Sequence, residues 1–188
     1  MRTPLLGTLA SQISGKLVTS SFESIASATG TGSSGTITFS SIPSTYTSLQ
    51  IRIMCQDNDS ALGNISLQIN GDTATNYTRH YLNADGASVT AVGSITQSNI
   101  LGSQVYGNNP ASSITGVIIW DIHNYASTSQ YKTVRTFGGY DSNGAGNIRL
   151  TSGLWQSTSA ITSLSFFLNS GGNWSNKSVF ALYGIKGA

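Results

Sequence analysis

The sequence predicts an all-β protein, an antiparallel β-sandwich preceded by a short N-terminal arm. Three observations carry this expectation. Apolar and polar residues alternate with period 2 through several short runs, which places one face of each strand in a core and the other in solvent. Turn-forming pairs such as Asn70-Gly71 and Asp85-Gly86 separate those runs. The composition is 38% hydrophobic but only 9% charged, with 21 Gly and more than a quarter Ser and Thr, as in β proteins with many turns. About ten short strands at this spacing argue for a sandwich or barrel.

Residues 1–20 read differently from the rest. Leu5, Leu9, Ile13 and Leu17 recur every four residues, with Leu6 beside them. That spacing lines them along one face of a short helix. Gly7 and Gly15 weaken such a helix by about 1 kcal/mol each relative to Ala. The apolar block is too interrupted by Thr8, Ser11, Gln12 and Ser14 for a secretory signal. The segment is therefore expected to be an arm that orders by docking on a partner, most simply a neighbouring subunit. Residues 21–188 contain no Pro-rich or charged linker and are expected to form one domain.

From residue 21 the period becomes 2. Leu49, Ile51, Ile53 and Cys55 alternate with Gln50, Arg52, Met54 and Gln56. Ile65, Leu67 and Ile69 alternate with Asn64, Ser66, Gln68 and Asn70, and Leu164, Phe166 and Leu168 with Ser163 and Ser165. Further strands are expected at Phe22–Thr29, Thr36–Ser40, Tyr77–Leu82, Ile114–His123, Tyr131–Tyr140, Asn147–Leu150 and Val179–Ile185. Asn70-Gly71 should join the 64–70 strand to the 77–82 strand, and Ser142-Asn143-Gly144 marks another tight turn. Two strands, 117–122 and Val179–Ile185, are apolar on both faces. Such strands are either covered on both sides or meet another subunit.

The same numbers exclude several kinds of function. A single cysteine, Cys55, rules out an intrachain disulfide framework and multi-Cys metal sites. No apolar run approaches the ~20 residues of a membrane helix. The nine Lys and Arg residues are scattered, so no basic stripe announces a nucleic-acid groove. Glu23 is the only Glu, which excludes a paired-Glu glycosidase. No Gly-x-Ser-x-Gly occurs, and Cys55 in its alternating strand reads as a small core residue.

Other polar residues form no strong motif. Asp121 and His123 share a strand face, but without a third ligand at metal-site spacing they read as a hydrogen-bonded pair at a strand end. Gln56-Asp57-Asn58-Asp59-Ser60 begins like a calcium loop, but the Gly and Glu that such a loop needs at its sixth and twelfth positions are missing. It is expected to be a solvated loop, and neither metal nor cofactor is expected. Trp120, Trp155 and Trp174 are either core residues or flat platforms for sugar rings. Trp174, flanked by Gly171-Gly172-Asn173 and Ser175-Asn176, is the one expected to be exposed. With Tyr140, Asp141 and Asn143 it makes the candidate glycan contact.

A set of short segments, in order along nearly the whole chain, resembles a known family. They include Leu5-Leu6-Gly7-Thr8-Leu9-Ala10-Ser11, Phe22-Glu23-Ser24-Ile25-Ala26 and Thr38-Phe39-Ser40-Ser41-Ile42-Pro43-Ser44-Thr45-Tyr46. Further along are Ile69-Asn70-Gly71-Asp72, Trp120-Asp121-Ile122, Ser152-Gly153-Leu154-Trp155 and Phe180-Ala181-Leu182-Tyr183-Gly184-Ile185. Together they resemble virion structural proteins of tailed bacteriophages, of the kind abundant in marine and cyanobacterial phages. The resemblance implies a jelly-roll-like sandwich displayed in many copies on a particle, as a decoration (cement) or fibre protein. It brings no catalytic residues with it. The expected partners are the major capsid protein or other virion proteins, with Leu5, Leu6, Leu9, Ile13 and Leu17 as contacts and a homotrimer as the assembly. The alternative is a tail-fibre module that recognises a host surface glycan.

Overall fold

A computed structural model describes residues 21–59, 62–107 and 113–187. The arm expected at 1–20 lies outside the described residues. Within them the chain is all β, with twelve strands in two antiparallel sheets. In chain order these are β1 (Phe22–Thr29), β2 (Thr36–Phe39), β3 (Ser48–Cys55), β4 (Gly63–Ile69), β5 (Tyr77–Ala84) and β6 (Val89–Gln97). They continue as β7 (Ile100–Val105), β8 (Gly116–His123), β9 (Lys132–Asp141), β10 (Gly146–Trp155), β11 (Leu164–Leu168) and β12 (Val179–Ile185).

The large sheet runs β1-β12-β3-β8-β9-β10-β5-β6, and the small one runs β2-β11-β4-β7. Eight of these strands pair as nested partners: β1 with β12, β2 with β11, β3 with β8 and β4 with β7. The remaining four are two hairpins, β5-β6 and β9-β10, which pair through β10·β5 and widen the large sheet beyond β8. The Asp85-Gly86 and Ser142-Asn143-Gly144 turns close these two hairpins. Asn143 and Gly144 both adopt positive φ, and the Ser142 amide donates to the Ala145 carbonyl at 2.7 Å.

The core is the space between the two inner faces. Trp120 meets Phe166 edge-on with ring centroids 5.6 Å apart, and Phe180 stands 6.1 Å from Phe166 and 5.0 Å from Trp174. Leu49, Ile51, Ile53 and Cys55 of β3 and Ile65, Leu67 and Ile69 of β4 fill the space around these rings. The predicted alternation thus points each of these runs inward. Cys55 is wholly buried, and burial pushes its thiol up to about 12. Gly102 of β7 leaves room for the Trp120 ring, which a Cβ there would strike.

Two sequence expectations change. Asn70 and Gly71 do form a tight turn with positive φ, closed by the Asp72 amide on the Ile69 carbonyl at 2.9 Å. The strands they join, however, lie in opposite sheets rather than in one hairpin. The reason lies in the residues that follow. Asp72 accepts hydrogen bonds from Trp155 Nε1 at 2.7 Å and Asn76 Nδ2 at 2.8 Å, which ties the connection to β10 of the large sheet. β6 and β7 were not among the expected strands, because their small and polar residues give a weak alternation.

Beyond the aromatic core, a buried cation ties the added hairpins to the sandwich. Arg149 of β10 donates from Nε to Asn83 Oδ1 at 2.9 Å and from one Nη to Asn64 Oδ1 and the Gly102 carbonyl, both at 2.8 Å. Its guanidinium also lies 4.5 Å from the Tyr81 ring centroid. Burial pulls its pKa down from the ordinary arginine value, yet these contacts fall on both sheets. Arg149→Met should lower unfolding free energy by about 2 kcal/mol, because two amide oxygens and a carbonyl lose a charged donor. Urea denaturation of the purified variant measures this.

Candidate functional site

The outer face of the large sheet exposes several large apolar side chains. Period 2 sends Trp120 and Ile122 of β8 inward, so Val117 and Ile119 must point out. The register then aligns two apolar rows across five strands. One row is Ile119, Phe137, Leu150, Leu82 and Ala91; the next is Val117, Gly139, Ile148, Ala84 and Val89. Val117 is 60% exposed, Phe137 52%, Leu150 50%, Leu82 52% and Val89 73%. Neither row carries a charged residue over these strands. Val179 of β12 and Met54 of β3 extend the second row toward the other edge.

The bulky row stands above the lighter one. Between Val117, Phe137, Ile148 and Ala84 lies a hollow of about 700 Å³ that continues to the β9–β10 turn. Gly139 forms part of its floor, where a Cβ would collide with the Asn147 carbonyl. A smaller hollow of about 360 Å³ lies beside Leu82, Leu150 and His80.

Of the candidate glycan residues, three border the larger hollow or its turn and one does not. Tyr140 is half-buried, edge-on to Tyr106 with centroids 5.4 Å apart, and its hydroxyl faces Gln104 Oε1 at 3.4 Å. Burial raises its pKa. Asp141 is exposed and accepts the Asn143 amide at 2.8 Å, which shapes the turn. Trp174 is the correction. It is wholly buried, donates from Nε1 to the Phe166 carbonyl at 3.4 Å, and bridges Asp57 by a backbone β-bridge. The glycines before it bend the loop back under the sandwich, so the ring packs on Phe180 and offers no face for a sugar. Trp120 and Trp155 are core residues as well.

The polar candidates have structural partners. Asp121 accepts from Gln50 Nε2 at 2.8 Å, and His123 Nδ1 lies 2.9 Å from Ser48 Oγ, so each is tied to β3. Asp57 is not the solvated loop residue expected. It is fully buried, enclosed by Gly63 and Gly172, bonded to the Ser170 hydroxyl at 3.0 Å and to the Asp59 amide at 2.9 Å. Burial raises its pKa. Among the described residues no three His, Cys, Asp or Glu side chains gather as metal ligands. Two buried cations escaped sequence reasoning: Arg149, and Lys132, whose ammonium donates to the Gln130 carbonyl at 2.6 Å and the Thr158 carbonyl at 3.2 Å. Their only sequence signal is a cation at an inward position of an alternating strand.

No protein-family model, no curated protein and no solved structure matches this chain.

Trp174→Ala should therefore act on stability, by about 3–5 kcal/mol as for other large core deletions. Thermal unfolding followed by near-UV circular dichroism reports it.

Proposed function

We propose that this chain is a non-enzymatic structural protein of a tailed-phage particle, a decoration (cement) protein or the capsid-proximal domain of a head fibre. It sits on the particle surface as a homotrimer beside the major capsid protein or other virion proteins. The observation that carries the reading is the pair of uncharged apolar rows on the outer face of β8-β9-β10-β5-β6, a surface suited to being covered by protein rather than to turning over a substrate. The nested strand pairing supports reading the eight strands β1-β4, β7, β8, β11 and β12 as a jelly roll, an architecture that includes viral capsid and lectin domains. The family resemblance of the sequence points the same way. The low charge also suits assembly in saline surroundings, where screened surface charges contribute little. In this reading Leu5, Leu6, Leu9, Ile13 and Leu17 of the arm grip the particle.

A second reading keeps one specific observation in its favour. Tyr140 and Asp141 line the larger hollow beside the turn that holds Asn143, and the polar groups of that turn are what a host surface glycan would require.

Deleting residues 1–17 should leave a folded domain that no longer binds particles; full occupancy of the truncated protein on particles would refute the arm's role. Immunogold labelling distributed over the shell is the expected pattern, and labelling confined to one vertex would place the protein on the tail. On a glycan array, binding abolished by Asp141→Ala with Asn143→Ala would favour the second reading.

A further inference from the structure

We infer that the outer face of β8-β9-β10-β5-β6 seats a second copy of this chain, patch against patch about a two-fold axis. The first argument is area. Phe137, Leu150, Leu82, Val117, Ile148 and Val89 each leave about half or more of their surface open, on one contiguous face. With Met54 and Val179 they offer on the order of 700 Å² of apolar surface, above the roughly 300–600 Å² of the largest patch on a typical monomer. It is close to the ~800 Å² that one partner gives to a stable interface.

The second argument is shape. The bulky row of Phe137, Leu150 and Leu82 runs beside the lighter row that holds the 700 Å³ hollow. A two-fold axis lying in the interface and crossing the strands sets the bulky row of one copy over the hollow of the other. Ridge and groove then fit within a single patch that is its own complement, the requirement for an isologous contact. The third argument is charge. The two rows carry none over these five strands; Arg52, next along the bulky row on β3, lies over the Phe22 and Tyr183 rings, and Asp85 and Asp141 stand exposed at the turns that border the hollow, so the facing rows bring no charge between the two copies. The two-fold pair takes the place of the homotrimer in the proposed assembly, and the contact does not depend on whether the chain rides on a particle.

The test is the mass of the full-length protein by sedimentation velocity over a concentration series. The expected species is a dimer. Leu150→Glu and, separately, Leu82→Glu should weaken it by at least about tenfold, the equivalent of ~1.4 kcal/mol, since each buries an uncompensated charge. Both positions are half exposed, and an unchanged far-UV spectrum confirms folding. Ser165→Glu, at a half-buried outward position of the small sheet, should leave the dimer intact. In Leu150→Cys the introduced thiol is the accessible one because Cys55 is buried, and a short bismaleimide should join two copies through it.

A monomer at all concentrations overturns the inference. So does a trimer, which would leave the particle reading standing. A dimer that persists in both Glu variants, or that resists the cross-link at position 150, also overturns it, because the copies are then held by the arm or the β6 edge. Loss of particle binding bears on the particle reading alone.

Discussion

The structure depends on the contact between the inner faces of two sheets of unequal width. Four strands lie over eight, so the small sheet covers only part of the large one and only from one side. Where the cover is complete, burial is apolar and aromatic, with Trp120, Phe166, Phe180 and Trp174 in successive ring contacts. Burying each such side chain is worth about 1.5–3 kcal/mol, and these contacts fix the stacking of the sheets. Where the cover thins, beyond β7, the solution changes. Arg149 reaches across to Asn64 and Gly102 and stacks on Tyr81, replacing hydrocarbon packing with charge-assisted hydrogen bonds.

The same inequality creates the outer face. Inner positions of β8, β9 and β10 are filled by Trp120, Val134 and Thr151, and the strict alternation of a strand then obliges their neighbours to project outward. Those neighbours are Val117, Phe137, Ile148 and Leu150, which in a half-solvated sheet would ordinarily be polar. The two added hairpins supply most of them. They are therefore more than an extension of the sheet: they carry most of the exposed apolar side chains of this face, and the β9–β10 turn holds Asp141 and Asn143 beside its hollow of about 700 Å³.

Much of the strand inventory was legible in the sequence. The expected β1 and β12 coincide with the observed Phe22–Thr29 and Val179–Ile185, and most other strands differ by a residue or two at their ends. β10 extends to Trp155, past the small Ser152-Gly153 pair that disguises it, because Gly153 lies directly under Ile100. β6 and β7 were hidden for a related reason. Val89–Gln97 is exposed on nearly every residue, and Ile100–Val105 contains Gly102 and Ser103 at closely packed positions, so neither shows a clear apolar side. The two doubly apolar strands, by contrast, were visible from composition, and β8 does carry its second apolar face outward.

Trp174 and Asp57 mark the limit. Local sequence describes both as loop residues among Gly, Ser and Asn, and such residues ordinarily face water. Their burial follows from a bridge between segments more than one hundred residues apart, Asp57 with Trp174, sealed by the Ser170 hydroxyl. The sequence by itself determined which residues share a strand face, where the chain turns and how little charge the protein has to spend, because these follow from a period of two and from local backbone preferences. Only the tertiary structure decided which strands are neighbours, which apolar face is covered and which is left open. Those outcomes depend on pairings between distant segments, and alternation along one strand carries no information about them.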